Sequence, residues 1–508
     1  MTDPASDGWP AGKVFEAATQ GFTYDDLVLM PGHANFEASE VELTSYVTKN
    51  IRLTMPVVSG PSDTVTEAKM ATELALAGGL GIIHGNQSIQ NQVEMVQAVK
   101  RFVSGFILEP KVLSPTHKLA DLDKLKAATG IASVPVTENG QLGSKVVGIV
   151  TSRDSDLCED RGEYLSRVMT EKLVTAKEPL AFEEALKVLK RKKVGKLLIL
   201  DEEDRLVSMV TRSDLKKVRD YPSMSRDLSG KLLVGAAVPA NEGQPDWPRA
   251  SALAEAGANL LYLFGDGVDS QLELIRKLKM EYPAVDILAG PATSVREAKR
   301  LVQAGADGIV AGTGCDAGGD PVKAPIAVAV GRGEATMVYE VAFYVTRNYK
   351  LPVCAAGVRS SSQALLALSL GASSVMLREP LAGSEEAPGG GQATAPLHHA
   401  HSLVNSVATR YGASRAWERQ VTVPRAVAAP VTHKSCVKAY LLYFTSGLRN
   451  GFQDLGFRNL PELHHGLEKE LLRMECRLPY SIQLREACCQ AAQQSQHPVV
   501  VPYSMSMR

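Results

Sequence analysis

The segment Ala304-Gly305-Ala306-Asp307-Gly308-Ile309-Val310-Ala311-Gly312 carries the pattern on which the fold depends. A helical stretch ends at small residues, a short apolar run follows, and a glycine closes it. A glycine after a helix permits the left-handed C-cap, and a short apolar run without alternation is typical of a strand buried on both faces. The segment therefore predicts one helix-to-strand unit of a parallel sheet.

The same pattern recurs along the chain. Two other helix ends, Ala256-Gly257-Ala258 and Leu370-Gly371-Ala372, carry the same small-residue stop. The apolar runs lie at 56–59, 81–84, 232–236, 260–263, 286–290, 308–311, 352–356 and 374–377. Eight strand–helix units predict an α/β protein with a (β/α)8 TIM barrel, whose functional residues follow the carboxyl ends of the strands.

Composition narrows the class of protein. With 55 basic and 56 acidic residues among 508, we expect neither a nucleic-acid binder nor a membrane-surface binder. No apolar run reaches the roughly 18 residues of a membrane span, and the N-terminus does not read as a secretory signal. Seven cysteines without metal-ligand spacing predict a reducing, cytoplasmic compartment. The C-terminal Ser506-Met507-Arg508 is too weak a match to predict peroxisomal targeting.

An internal repeat interrupts the barrel between its second and third strands. Gly148-Ile149-Val150-Thr151-Ser152-Arg153-Asp154 returns as Ser208-Met209-Val210-Thr211-Arg212-Ser213-Asp214, each after a helix and a β run. Self-similarity at this period indicates two copies of one small unit that share a core, although chance similarity is the alternative. The predicted division is 1–109 for the first part of the barrel, 110–221 for the inserted pair, 222–484 for the remaining barrel with a lid, and 485–508 for a tail.

Several phrases carry a family resemblance. They are Thr23-Tyr24-Asp25-Asp26, Ser59-Gly60-Pro61-Ser62-Asp63-Thr64-Val65-Thr66-Glu67, Gly79-Leu80-Gly81-Ile82-Ile83-His84 and Gly451-Phe452-Gln453-Asp454-Leu455-Gly456. Together with the interrupted barrel, they resemble the inosine monophosphate (IMP) dehydrogenase and guanosine monophosphate (GMP) reductase family over roughly residues 20 to 465. The inserted pair looks like the family's tandem cystathionine-β-synthase (CBS, Bateman) module.

The resemblance implies a particular reaction. A cysteine thiolate attacks C2 of the purine, and hydride then passes to NAD. The family cysteine lies five residues after the Gly-x-Gly, and that spacing from Gly314 reaches Gly319, which has no nucleophile. Cys315 is the displaced candidate, either rescued by realignment of the loop or an ordinary loop thiol. The pair Arg410-Tyr411 matches the family's general base for hydrolysis, with packing under the lid as the alternative.

The implied substrate and cofactor residues are only partly present. Substrate binding falls on Ser59, Gly314, Gly357 and Arg378. The ribose carboxylate is missing, because Ala356-Gly357-Val358 replaces Asp-Gly-Gly, and Arg378-Glu379 replaces the phosphate-binding Gly-Ser. Arg378 could bind phosphate as a charge, or form a surface ion pair with Glu379. On the cofactor side, Asp266 is a displaced substitute for the aspartate that contacts NAD, and the family's monovalent-cation pattern is not retained.

The repeat keeps a nucleotide-binding pattern. In modules of this kind a Thr-x-x-Asp binds the ribose of adenosine or guanosine nucleotides, and both copies retain it as Thr151/Asp154 and Thr211/Asp214. The alternative is that threonine and aspartate only cap helices.

Two hypotheses follow. One is an active NAD-dependent IMP dehydrogenase, or NADP-dependent GMP reductase, that uses Cys315. The other, which site chemistry favours, is a catalytically silent or weak relative that senses ATP or GTP at the pair, could still bind IMP at the barrel, and assembles as a homotetramer or octamer or with an active paralogue. No metal is predicted, since the lid histidines at 398, 399 and 401 have no nearby acidic or thiol partner and are expected in a solvated loop.

Overall fold

A computed structural model describes residues 8–16, 21–102, 106–107, 110–129, 133–151, 154–155, 158, 160–178, 180, 182–211, 220–227, 230–241, 244–265, 268–312, 332–388, 398–400, 429–431 and 435–477. Its strands are β1 (Trp9–Pro10), β2 (Leu27–Leu29), β3 (Ser45–Tyr46), β4 (Arg52–Leu53), β5 (Val57–Ser59), β6 (Leu80–Ile83), β7 (Phe106–Ile107), β8 (Ser133–Thr137), β9 (Val146–Thr151), β10 (Thr175–Lys177), β11 (Lys196–Leu200), β12 (Leu206–Thr211), β13 (Gly235–Asn241), β14 (Gln244–Pro245), β15 (Leu260–Phe264), β16 (Asp286–Ala292), β17 (Gly308–Ala311), β18 (Val353–Val358), β19 (Ser374–Leu377), β20 (His398–Ala400), β21 (Ala429–Val431) and β22 (Arg473–Cys476). Its α-helices are α1 (Ala11–Glu16), α2 (Ala68–Ala77), α3 (Ile89–Lys100), α4 (Leu119–Thr129), α5 (Leu165–Val168), α6 (Phe182–Lys192), α7 (Trp247–Glu255), α8 (Asp269–Glu281), α9 (Val295–Ala304), α10 (Glu334–Tyr349), α11 (Ser361–Ser369), α12 (Val437–Leu455) and α13 (Leu460–Glu468).

Eight parallel strands close into a barrel, as the apolar runs predicted. The order is β13-β15-β16-β17-β18-β19-β5-β6, and pairing of β6 with β13 closes the ring. Each predicted run contributes a strand, although the third begins at Gly235 because Leu232 to Val234 lead into it without ladder pairing. At Gly305 the φ of 111° gives the left-handed C-cap expected after α9. The (β/α)8 fold is therefore confirmed.

Alternation along the strands divides the apolar residues between two layers. One cluster fills the barrel with a side chain from every strand, for example Val58, Tyr262, Cys354 and Met376. The residues between them, such as Val57, pack outwards against the helices. Both strand faces are buried, which is why the runs lack a polar period.

The β3–β4 hairpin closes the barrel at the amino-terminal ends of its strands. Its turn places Lys49 Nζ 2.7 Å from Oδ1 of the fully buried Asp307, whose Oδ2 lies 2.8 Å from Lys279 Nζ. These contacts occupy the amino ends of the strands, so chemistry is left to the opposite, carboxyl end.

The insert contains two copies of a β-α-β-β arrangement. In the second copy, β10 pairs in parallel with β11, which pairs antiparallel with β12. In the first, a parallel bridge from Leu113 to Val136 and the β8–β9 ladder repeat the same order. Cores from both copies meet in one apolar cluster that includes Ile149, Leu198 and Met209.

The last strand of each copy pairs with a segment that precedes the other copy. Phe106 and Ile107 of β7 pair with Val210 and Met209 of β12, at the far end of the insert. Thr170, between the copies, pairs with Ile149 of β9. The sheet of the insert thus includes residues before 110, while the division of the chain at 110 and 221 stays a prediction.

Candidate functional site

The loop after the first barrel strand is held by its own hydroxyl groups. Ser59, the last residue of β5, is fully buried. The hydroxyl of Thr66 donates towards Ser59 Oγ (2.9 Å) and the Gly60 carbonyl (2.7 Å). Ser59 therefore lies at the carboxyl end of the first barrel strand, in the mouth of the barrel, and its side chain is bonded to a neighbouring loop residue.

A histidine at the end of the second barrel strand was not assigned from the sequence. The side chain of His84 is 5% exposed, and its Nδ1 accepts from the backbone N–H of Asn86 at 3.2 Å. The ring proton is therefore on Nε2, which lies 3.6 Å from Oε1 of Glu67. Asn86 also donates to Asp63, so these side chains tie together the loops after β5 and β6. Its place at the carboxyl end of the predicted run 81–84 was the signal that could have identified His84.

The end of the seventh barrel strand, where the resemblance implies a ribose carboxylate, has Ala356 and Gly357 instead. Ala356 is buried, and its carbonyl accepts from the hydroxyl of Tyr24 at 3.4 Å. Burial, with a further contribution from Glu334, raises the pKa of Tyr24 far above its usual range. Gly357 has φ of 79°, and a Cβ there would lie 3.4 Å from Cγ of Glu334. Glu334, buried at the start of α10, places a carboxylate near this strand end.

The end of the eighth barrel strand is covered by an arginine. A Cβ atom on Gly60 would lie 2.5 Å from Cγ and 3.1 Å from Nε of Arg378. The arginine stem therefore crosses from the loop after β19 to the loop after β5. Glu379 lies 3.7 Å from Nε of Arg359, so this carboxylate has an ion-pair partner on the loop after β18.

The cysteine in the barrel wall is not a nucleophile. Cys354 on β18 has no exposed surface, and burial raises the pKa of its thiol to about 12. A thiol with this pKa carries almost no thiolate at neutral pH. Its place among the interior side chains makes it a packing residue.

Several predicted residues lie outside the described part of the chain. They are Asp214, Asp266, Gly314, Cys315, Gly319, Arg410 and Tyr411. The end of β15 that precedes Asp266 is described, and Phe264 and Gly265 there supply no carboxylate. The segment His398–Ala400, predicted as a solvated loop, is instead a strand that pairs antiparallel with Ala429–Val431.

The Thr-x-x-Asp of the first repeat forms a local cap. Oδ2 of Asp154 accepts from both the backbone N–H and the hydroxyl of Thr151, each at 2.8 Å. Its Oδ1 accepts only a longer bond from Thr170, at 3.3 Å, among the contacts between described residues. Thr23 and Asp26 of the barrel make the same two hydrogen bonds, from the backbone N–H and the hydroxyl of threonine to one carboxylate oxygen. This geometry alone therefore does not identify a nucleotide site. Thr211 ends β12 and pairs with Lys196.

The described residues contain neither a metal-binding cluster nor a helix that could span a membrane. No group of histidine, cysteine, aspartate or glutamate side chains there has the arrangement of a metal centre. None of the helices described has both the length and the apolarity that crossing a membrane requires.

Known proteins resemble this chain over most of its length. Residues 21–476 match the family model described as the IMP dehydrogenase/GMP reductase domain. The chain is 44% identical over 387 residues to inosine-5'-monophosphate dehydrogenase of Toxoplasma gondii, covering 76% of this chain and 69% of that protein. It is 34% identical over 473 residues to the enzyme of the same name from Schizosaccharomyces pombe, with 90% and 89% covered.

Solved structures agree with these sequence relatives. A crystal structure of a GMP reductase variant from Trypanosoma brucei, in complex with guanosine 5'-monophosphate, superposes with a TM-score of 0.71 at 28% identity. The alignment covers 93% of this chain and 98% of that structure. A structure of the same reductase in complex with guanosine 5'-triphosphate gives 0.67 at 27% identity, with 91% and 99% covered. From the barrel and the extent of these matches, the chain belongs to the IMP dehydrogenase/GMP reductase family.

Proposed function

We propose that this protein is a catalytically silent or weakly active member of its family, which senses purine nucleotides through the insert. The observation that carries the proposal is the chemistry at the ends of the seventh and eighth barrel strands. There, Ala356 stands where the resemblance requires a ribose carboxylate, and the Arg378 stem lies across Gly60. Two binding elements are altered at once, and function depends on the site rather than on the fold.

The cofactor side supports the same proposal. Binding of NAD in the family manner needs a carboxylate after the fourth barrel strand, and the described residues at the end of β15 do not fit that need. Cys354 is the one cysteine of the barrel wall among the described residues, and its burial removes it as an alternative nucleophile.

For the insert, we propose a CBS-type nucleotide site in each copy. Among described residues, Oδ1 of Asp154 has only the 3.3 Å contact with Thr170, which is weak enough for a ribose hydroxyl to replace. Thr211 and Asp214 would act in the same way in the second copy. ATP or GTP is the expected ligand class. Assembly into tetramers or octamers, alone or with an active paralogue, is part of the same proposal.

Absorbance of NADH separates this proposal from the alternative. Purified protein with IMP and NAD should give no steady NADH formation. Turnover that disappears in Cys315→Ala would refute the silent assignment.

Calorimetry with ATP and GTP tests the insert. Binding should weaken in Asp154→Ala and Asp214→Ala but not in Asp26→Ala, which removes the matching cap in the barrel. Equal weakening in Asp26→Ala would contradict a nucleotide site at the Thr-x-x-Asp motif and favour its interpretation as a helix cap.

An active NAD-dependent IMP dehydrogenase, or NADP-dependent GMP reductase, remains the second candidate function. The observation that favours it is the 44% identity to the Toxoplasma enzyme over 387 residues. In that case Cys315 is the nucleophile, and the NADH assay above gives a positive result.

A further inference from the structure

The space above Gly60 is filled by a residue from the other side of the barrel mouth. Gly60 does not have a positive φ, so its backbone does not require glycine. What requires it is Arg378, whose Cγ, Cδ and Nε would lie 2.5, 3.3 and 3.1 Å from a Cβ at this position. No side chain larger than hydrogen fits at residue 60 unless Arg378 moves.

This contact lies where barrel enzymes bind phosphate. Phosphate sites in this fold are frequently built from the loops after the seventh and eighth strands, where backbone N–H groups approach the ligand closely. In this chain those loops begin after Val358 and Leu377. Arg378, the first residue of the eighth loop, extends its stem over Gly60 in the loop after the first barrel strand.

The charges around this position are mixed. Glu334 is buried beside Gly357, and Glu379 follows Arg378 in the chain. Arg359 is 3.7 Å from Glu379, so these two charges offset each other. A dianionic phosphate would therefore meet the Glu334 carboxylate and a side chain that occupies its space, while the Arg378 guanidinium itself attracts it.

We propose that Arg378, accommodated by Gly60, is a specificity-determining residue that closes the phosphate end of the barrel mouth. The mouth then admits a purine nucleoside or base rather than a nucleoside 5'-phosphate. This inference deepens the proposed function, because it gives a physical reason for the loss of nucleotide chemistry at the barrel.

Binding of IMP and of inosine by calorimetry tests the proposal. Full-length protein carrying Asp154→Ala and Asp214→Ala is used, so that the insert does not contribute. The parent should bind IMP no more tightly than inosine. Arg378→Ala should gain at least about tenfold for IMP and nothing for inosine, which is the worth of roughly one charge-assisted hydrogen bond.

Two matched variants separate the stem from the charge. Arg378→Lys keeps Cγ and Cδ, and Arg378→Met keeps Cγ with Sδ in place of Cδ, so both retain the stem and should behave like the parent. If Arg378→Ala binds IMP no better than the parent, or if the parent prefers IMP and loses that preference in Arg378→Met, the proposal is wrong.

A second measurement does not depend on any ligand. Gly60→Ala should lower the melting temperature of the parent protein, because the new Cβ would meet the stem 2.5 Å away. The drop should be absent in the Arg378→Ala background. An equal drop in both backgrounds would contradict the inference that the stem of Arg378 fills the space above residue 60. If the proposed lack of catalytic activity is wrong, the NADH assay will show it. Neither the calorimetry nor the melting temperature depends on that activity.

Discussion

Removal of Arg249 should destabilise the barrel far more than removal of an exposed arginine with similar bonds. Arg249, in α7, is buried, and its Nε donates to Asp246 at 2.6 Å. Its other guanidinium nitrogens donate to Gln92 Oε1 at 2.7 Å and to the Gln87 carbonyl at 3.0 Å. These bonds join the helices that follow the second and third barrel strands, across the point where the insert interrupts the chain.

The expected cost follows from burial. Arg249→Met leaves the Asp246 carboxylate and the Gln92 amide oxygen without their strongest donor. Breaking a buried, hydrogen-bonded charge pair from one side costs about 3–5 kcal/mol. Arg205 provides the exposed control, because it bonds two carboxylates, Asp201 at 2.7 Å and Glu203 at 2.9 Å, but its side chain is 52% exposed. Arg205→Met should cost at most about 1 kcal/mol.

Urea denaturation followed by circular dichroism at 222 nm gives the free energy of unfolding of each variant. The barrel transition should move to clearly lower urea in Arg249→Met and stay in place in Arg205→Met. A loss below about 1 kcal/mol in Arg249→Met, or equal losses in the two variants, would refute the reasoning that burial sets the value of these bonds.

Three further outcomes are expected. Burial lowers the pKa of His464, whose Nε2–H donates to two carbonyls. The stability that the neutral ring contributes above pH about 6.5 should therefore fall as the pH drops below that value. In denaturation series at several pH values, His464→Gln should make the loss of stability on the acid side less steep. Cys354 should stay unmodified by a thiol reagent in the native protein and react only on unfolding, as peptide mass mapping would reveal; rapid native labelling would contradict its burial. Phe452→Ala, in the packed face of α12, should cost about 3–5 kcal/mol, whereas Leu442→Ala on its exposed face should change stability by less than about 0.5 kcal/mol; similar melting temperatures would contradict this contrast.

The barrel was predictable because its signals are local. A run such as Gly308–Ala311 is apolar on both faces and follows a glycine that must end a helix, so sequence order alone defines the unit. The third strand shows the limit of such signals. Leu233 is as buried as a strand residue, yet it lies before the ladder, because burial and strand pairing are separate properties.

The contacts of the mouth were less predictable. Nothing near Gly60 indicates that its missing side chain accommodates Arg378, since the two residues meet only after the ring closes. The ion pair of Glu379 with Arg359 was likewise not predictable, because Arg359 comes from the neighbouring loop in space. Such pairings depend on three-dimensional position, which no sequence period records.

The pairing of β7 with β12 makes the insert an exchangeable part. Phe106 lies opposite Val210 and Ile107 opposite Met209, so the chain enters and leaves on neighbouring strands, about 5 Å apart. Recombination could add or delete a segment with such adjacent ends without pulling apart the barrel halves on either side. In engineering terms, a short turn from Ile107 to Met209 would replace everything between them, and the same junction could receive a different sensor.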